Sequence, residues 1–517
     1  MNTAPGVVLT RQDKNMLQRP IRRRRLFTFI LTALCISSCN ESAQITPGEP
    51  VVNGSRNLVA TSAEQARERD EDARPNIIVV FTDDQGYADL GAQGILSDID
   101  TPHLDQLADD GVRMTAGYVT APQCIPSRAG LLTGEYQQKF GLDDNRFTPM
   151  PLQQITVADR LQDAGYHTGM VGKWHLDFNP TSPGIDYDTL TLAEKTPYFP
   201  DQRGFDDVYF GYRNTWWTNY DLQGNTLSAA YRENKDYRLD VATDAGIAFI
   251  DKHEDEPFFL YLAYFAPHVP LESTPEYLSR FSGVPQTRRQ HALAMLSAVD
   301  DGVGRIRDRL AESQLSDNTL IFFISDNGAP LGIHKLDLPI DNNAGAWDGS
   351  LNEPMIGEKG MLSEGGIRVP YIVSWPGKVP AGVVLDTPVT TLDVATTGLA
   401  AAGEVLPAEL DGENLLPLLT GEEVLEERPL YWRFWGQSAV RQGQWKYLQA
   451  GAGYEFLFDM DSATPEAENL LDDFPEVAAS LRRQLIDWTD NLHRPGLSDP
   501  ELNVQEEGWY GHYFPIN

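Results

Sequence analysis

The chain has 517 residues, 41% hydrophobic and 10% aromatic, enough to bury a large core and to exclude wholesale disorder. Its 41 Lys and Arg face 75 Asp and Glu, a formal charge of −34. That balance excludes nucleic-acid binding through a general basic surface, because phosphate contacts need clustered cations, though it leaves room for a local cationic pocket.

In chain order, Arg22 to Arg25 precede an apolar run from Leu26 to Ile36, followed by Ser37-Ser38-Cys39. A basic flank, a short apolar run and small residues form an export signal over residues 1–38; a membrane span needs about 20 apolar residues. Ile36-Ser37-Ser38-Cys39 resembles a bacterial lipobox, which implies cleavage before Cys39 and lipidation of its thiol. Ordinary secretion with nearby cleavage is the alternative, and Met16 is the more typical start for such a signal. Residues 39–74 are polar, with Pro47, Pro50 and Gly54, and read as a flexible tether. Residues 1–38 hold seven basic residues and one Asp, so the exported body stands near −40, a surface suited to salty water.

Residues 75–427 alternate apolar runs with helical periods. Asn76 to Phe81, Phe258 to Ala263 and Leu320 to Ile324 are continuous apolar runs of strand length, as expected of parallel strands covered on both faces. Thr101–Asp110, Val157–Ala164 and Ala292–Leu310 carry helical patterns. The expectation is an α/β fold with a mainly parallel sheet flanked by helices, binding its ligand at the carboxyl ends of strands. Three exits then deliver polar chemistry to one rim: Asp83-Asp84, Pro267-His268 and Ser325-Asp326-Asn327-Gly328. Residues 428–517 change texture. Short strands around Tyr431–Trp435, Ser438–Arg441 and Trp445–Leu448, then a helix over Ala478–Leu492, predict a smaller C-terminal α+β subdomain.

Cys124 is the single cysteine of the body, so no disulfide forms within it. Alone it reads as a small buried hydrophobe. Its setting is Cys124-Ile125-Pro126-Ser127-Arg128, then Ala129-Gly130-Leu131-Leu132-Thr133-Gly134. This segment resembles the signature of type I, formylglycine-dependent sulfatases of the alkaline-phosphatase-like superfamily. Asn76 to Gly91, Gly172-Lys173-Trp174-His175, Pro267-His268-Val269-Pro270, Ser325 to Gly328, and Lys359-Gly360 with Glu364 to Pro370 resemble that family's other blocks in order. The resemblance spans about residues 75–492.

The residue types fit independently. Asp83, Asp84, Asp326 and Asn327 offer only oxygen ligands, the preference of a hard cation, and no Cys/His cluster has zinc spacing. Singly, the Asp pair also suits a cap or a turn. A sulfate ester in cleavage needs a cationic cradle and a proton donor, for which Arg128, Lys173, His175, His268 and Lys359 are candidates; each alone reads as ordinary surface or structure.

The resemblance implies Ca²⁺ ahead of Mg²⁺, held by Asp83, Asp84, Asp326, Asn327 and the modified Cys124. It implies that a maturation enzyme oxidises Cys124 to formylglycine, whose hydrate attacks sulfur with help from the metal and Asp326. Arg128 then steadies this cluster, and Lys173, His268 and Lys359 grip the sulfate. His268 protonates the leaving alcohol, with Lys359 as runner-up, and His175 takes the proton that lets the aldehyde reform. His103 stands where the family usually has Asn and reads as structural. Segments 179–238 and 329–356 match least; Trp216, Trp217, Tyr220, His334 and Trp347 there suit either sugar stacking or loop cores.

The leading expectation is a sulfatase acting on a sulfated oligo- or polysaccharide. It would be lipid-anchored in the bacterial periplasm or on the cell surface, at the outer membrane. The body's charge repels a polyanion at long range, but salt limits this because the Debye length is about 8 Å. Arg and Lys in the cleft then do the attracting, and an oligosaccharide end is easier to admit than a long internal stretch. The alternatives are a phosphoester or phosphonate hydrolase of the same superfamily, and an inactive glycan-binding lipoprotein. The latter would lack a nucleophile or ligands, and here every expected position is filled.

Overall fold

β1 (Asn76–Asp83) is apolar on both faces because both are covered: Ile77, Val79 and Phe81 enter one core and Ile78 and Val80 another. The computed structural model describes residues 74–180, 184–333 and 347–515. The expected export signal, the lipidation site Cys39, the tether to residue 73 and His334 lie outside the described residues.

The further strands in chain order are β2 (Val112–Met114), β3 (Gly117–Tyr118), β4 (His167–Gly172), β5 (Asp207–Tyr212), β6 (Thr215–Tyr220), β7 (Thr226–Glu233), β8 (Phe258–Pro267), β9 (Thr319–Ser325), β10 (Tyr371–Ser374), β11 (Val383–Leu385) and β12 (Val389–Thr390). Ten of them form one sheet in the order β11-β2-β10-β9-β1-β8-β4-β5-β6-β7. Its centre, β9-β1-β8-β4-β5, is parallel throughout, with Val79 level with Tyr261 on one side and Phe322 on the other. β10 runs antiparallel between β9 and β2, and β6 and β7 fold back antiparallel on β5.

Helices cover both faces. Cys124–Thr133, Val157–Asp163 and Leu392–Ala401 pack into the first core; Pro102–Asp109, Arg238–Lys252 and Thr287–Glu312 pack into the second. The three helices read from the sequence are present, the last extended at both ends.

β13 (Leu430–Phe434), β14 (Gln437–Gln442), β15 (Trp445–Ala450) and β16 (Tyr454–Asp459) form a four-stranded antiparallel sheet. Val440, Tyr447 and Leu457 on one face meet Ala478, Leu481 and Leu485 of the helix Pro475–Thr489; Trp432, Ala439 and Leu448 on the other join the main core. The helix begins three residues before the expected Ala478, with Pro475 in its first turn, where Pro has no amide hydrogen to leave unpaired.

The segment 179–238 corrects the sequence reading. Trp216 and Trp217 occupy β6 rather than an open loop. Adjacent residues of a strand face opposite ways, and Trp216 enters one core and Trp217 the other; with Tyr220 they are buried and unavailable for stacking on a sugar.

Candidate active site

Four neighbouring strands, β9, β1, β8 and β4, end on the same rim. They deliver Asp326 and Asn327, Asp83 and Asp84, His268, and Lys173 to His175 respectively. The three exits expected from the sequence therefore meet, joined by β4. At its end Gly172 has φ 97°, and a Cβ there would stand 1.9 Å from the Ala263 carbonyl oxygen, so only glycine lets the chain turn Lys173 inward. Asp84 (φ 67°) and His175 (φ 61°) hold left-handed backbone that non-glycine residues rarely adopt.

Cys124 opens a ten-residue helix whose first turn is held from another segment. Asn145 Oδ1 accepts from the Ile125 amide, and Gln123 Oε1 accepts from the Asn145 amide, both at 3.1 Å. Arg128, one turn on, shares the Cys124 face. Its buried guanidinium donates to Asp326 Oδ2 at 2.8 Å and to Tyr261 Oη and the Lys173 carbonyl at 3.2 Å, with Asp83 at 3.6 Å.

Lys173 Nζ donates to both oxygens of Asp83, at 2.7 and 2.6 Å. Lys359 Nζ pairs with Asp84 Oδ1 and lies 3.1 Å from Cys124 Sγ, which is 3.6 Å from Asp83 Oδ1. Asp326 Oδ1 accepts from the Asp84 amide at 3.0 Å, and Asn327 Nδ2 donates to Asp84 Oδ1 at 2.6 Å. His268 Nδ1 faces its neighbour's carbonyl, Val269 O, at 2.5 Å, leaving Nε2 3.6 Å from Asp84 Oδ2. Every body residue expected at the site from the sequence is brought into it.

Burial opposes ionisation of Asp83, but Lys173, His268, Arg128 and Lys359 outweigh it and hold the carboxyl well below the usual range. Asp326 is pushed up to about 6 by burial and by Asp83. Burial and then Asp326 push the Cys124 thiol up to about 12, so as a thiol it is uncharged at neutral pH. His175 is held well below the usual imidazole value by burial, Lys173 and Arg128, and is neutral.

The donor set fits a hard divalent cation. Ligand-capable atoms of Asp83, Asp84, Cys124 and His268 lie within 4.8 Å of one another, and Asn327 Oδ1 is buried with no hydrogen-bond partner among the described residues. Asp83, Asp84, Asp326 and Asn327 supply the oxygens such an ion prefers.

Sequence reasoning missed Asp348. It is fully buried, accepts from the Ser350 amide at 3.2 Å, and abuts Asp84, whose charge together with burial pushes its carboxyl well above the usual value. Trp347-Asp348-Gly349-Ser350 reads locally as a turn, and nothing in that tetrapeptide announces a neighbour 264 residues away. A cleft of about 640 Å³ runs outward from Asp83, Lys173, His175 and His268.

The comparisons agree with this geometry. The sulfatase family profile matches residues 75–404, and that of the N-sulphoglucosamine sulphohydrolase C-terminal region matches residues 355–490. The chain is 32% identical over 406 residues to N-acetylgalactosamine-6-sulfatase of Canis lupus familiaris, covering 72% of this chain and 71% of that protein. It is 27% identical over 471 residues to arylsulfatase D of Homo sapiens, 76% of each chain. Among solved structures, Ps i-CgsB in complex with k-i-k-neocarrahexaose superposes with a TM-score of 0.69 at 30% identity, over 86% of this chain and 98% of that one. The chain belongs to the sulfatase family and is a sulfuric ester hydrolase of the alkaline-phosphatase-like fold.

Proposed function

We propose that the chain removes sulfate esters from a sulfated carbohydrate, with a formylglycine made from Cys124 and one Ca²⁺ held by Asp83, Asp84, Asp326, Asn327 and position 124. The observation that carries this reading is the placement of Cys124. It sits at a helix start, buried, between Asp83 and the Lys359 ammonium, where burial and Asp326 outweigh Lys173 and Lys359 and keep the thiol protonated. Formylglycine at this position, once hydrated by water, would supply the nucleophilic hydroxyl that a thiol lacks. The cation supplies charge that polarises the ester and favours the anionic nucleophile.

The chain's own residues do the rest. Lys173 and Lys359 stand on either side of the carboxylate pair, placed to bind the non-bridging sulfate oxygens. Arg128 fixes Asp326, which accepts the proton of the attacking group. His268 lines the cleft with Nε2 turned inward and delivers a proton to the leaving oxygen; neutral His175, on the same wall, takes up the proton released when sulfate leaves. Lys359 does not line that cleft, which favours His268 as the acid.

A carbohydrate substrate is supported by relatives named for an amino sugar sulfate and by a solved neighbour holding a neocarrahexaose. Aromatic cleft walls from Phe178, Tyr187 and Tyr231 add to this. The leader supports a reading of export and lipidation at Cys39, for an enzyme of the periplasm or cell surface, at the outer membrane, that has a formylglycine-generating enzyme as a partner.

The test is the mass of the peptide spanning Cys124, from protein exported and matured in a competent host, with turnover measured before and after chelation. An aldehyde or its hydrate, and turnover lost to chelator and restored by Ca²⁺, are expected. A free thiol in fully active protein would overturn the mechanism.

A further inference from the structure

Within the cleft the charges are segregated. Lys173, His175 and His268 surround Asp83 at its inner end, and one other carboxylate, Asp177, stands in its wall among Phe178, Tyr187 and Tyr231. Asp177 belongs to no helix or strand and follows His175 by two residues, so the turn that places the histidine also sets the carboxylate. Among the described residues its hydrogen bond is to its own backbone amide, and Lys195, whose Nζ lies 3.6 Å above the Tyr187 ring, is the cation that bears on it. Burial pushes this carboxyl up to about 7, and its charge is felt by the Tyr187 and Tyr231 hydroxyls. Withdrawing a carboxylate even partly from water with so little compensation among the described residues opposes folding. Such a group in a cleft wall is placed for a ligand to complete its hydrogen bonds.

We propose that Asp177 is the specificity residue of the cleft, accepting paired hydrogen bonds from neighbouring free hydroxyls of the sugar that carries the scissile sulfate, and refusing a second anionic substituent on that side. The inference rests on the sulfated-sugar reading and names the substrate class more closely: a sugar sulfated once, with unsubstituted vicinal hydroxyls opposite the sulfate. Cationic residues grip one end of such a ring, aromatic rings cover its apolar face, and the Asp177 carboxyl, acceptor-only once hydroxyl donors favour its ionised form, meets the other end. A second sulfate there would offer no donor and would meet like charge in a site of low dielectric.

The experiment compares aldehyde-bearing wild type, Asp177→Asn and Asp177→Ala on monosulfated monosaccharides, their disulfated counterparts, and 4-nitrophenyl sulfate, whose ring has no hydroxyls. For Asp177→Ala, kcat/KM should fall about 100-fold on the preferred monosulfated sugar, mainly through KM, and less than about 3-fold on 4-nitrophenyl sulfate. Asp177→Asn, which removes the charge but keeps one acceptor, should narrow the discrimination against the disulfated sugar about 10-fold.

Equal losses on the sugar and on 4-nitrophenyl sulfate would reveal a structural role and overturn the proposal, as would unchanged sugar kinetics. Failure of the underlying reading looks different. Wild type that hydrolyses 4-nitrophenyl sulfate but no sugar sulfate overturns the carbohydrate substrate, and wild type inert on every sulfate ester overturns the sulfatase mechanism; either result removes the proposal with it.

Discussion

Two regions deliver cationic side chains to the same carboxylate pair by different constructions. Lys173 comes from a strand end, fixed by β4 pairing with β8 and β5 in the middle of the parallel sheet. Lys359 comes from a turn with no strand of its own. The Lys359 amide donates to the Ala329 carbonyl at 3.1 Å and the Gly360 amide to the Pro122 carbonyl at 3.0 Å; Gln437 of β14 donates to the Gly360 carbonyl at 2.9 Å. Trp509, from the helix Val504–Tyr513, covers Gly360 so closely that a Cβ there would lie 2.4 Å from its ring. A sheet positions a residue as a by-product of folding. A braced turn positions it only while its braces hold, which makes placement and stability separable at Lys359 and inseparable at Lys173.

The largest expected effect lies where the two constructions converge. Cys124→Ala should abolish turnover, by about 10⁴-fold or more, because no other group at the site can supply the nucleophile. Its melting temperature should stay within about 2 °C of wild type, since the side chain is small and lies at a helix start. Retained turnover would break the assignment of Cys124 whatever the peptide mass shows.

Glycine substitutions then separate the two constructions. Gly172→Ala drives a Cβ into backbone at φ 97°, an overlap no rotamer change relieves. It should cost about 3 kcal/mol or more of stability, seen as a lowered urea midpoint. Gly360→Ala, at φ 99°, meets the Trp509 ring rather than backbone. It should cost less stability, about 2 kcal/mol, but lower kcat about 10- to 100-fold per folded molecule as Lys359 leaves Asp84. If both variants lose stability alike and keep kcat, Lys359 is not positioned by its turn and the distinction falls.

The same distinction explains what was legible in the sequence. Parallel strands buried on both faces announce themselves as unbroken apolar runs, so Asn76–Phe81 and its two counterparts were readable together with the polar residues just beyond them. β6 and β7 were not, because Thr215–Tyr220 mixes Trp with Thr and Asn and covers one core with each face. β16 and the helix Val504–Tyr513 were also missed. The latter carries Gly508 and Gly511, which weaken a helical pattern, and is held instead by Trp509 and Tyr510 in the core. Lys359 was found only through resemblance to a family. Asp348, Asn145 and Asp177 were not found at all, since each is defined by what lies across space and occupies an unremarkable turn in sequence.

The smallest predicted effect tests the brace itself. Four residues beyond Gly360, the buried Glu364 and Glu466 share Lys446 of β15, each at 2.8 Å, and the Glu364 amide donates to Glu466 at 2.8 Å. Lys446, Arg368 and Arg441 overcome burial at Glu364 and hold it down to about 2, whereas burial pushes Glu466 up to about 7 from an ordinary 4.5. The two shifts have opposite consequences. Glu364 stabilises the fold above its unfolded value, and that contribution is lost as pH falls towards 2. Glu466 binds its proton more tightly in the fold than in the unfolded chain, so its contribution is present at about pH 4.5 and lost as pH rises through 7. Glu466→Gln mimics the protonated carboxyl at every pH. Wild type should therefore lose about 1 kcal/mol relative to Glu466→Gln between about pH 6 and pH 7.5, read from paired urea titrations. Parallel curves would mean that Glu466 carries no extra proton in the fold. A divergence accompanied by a falling kcat in wild type alone would tie the charge state of this cluster to the placement of Lys359, as a braced turn requires and a strand end does not.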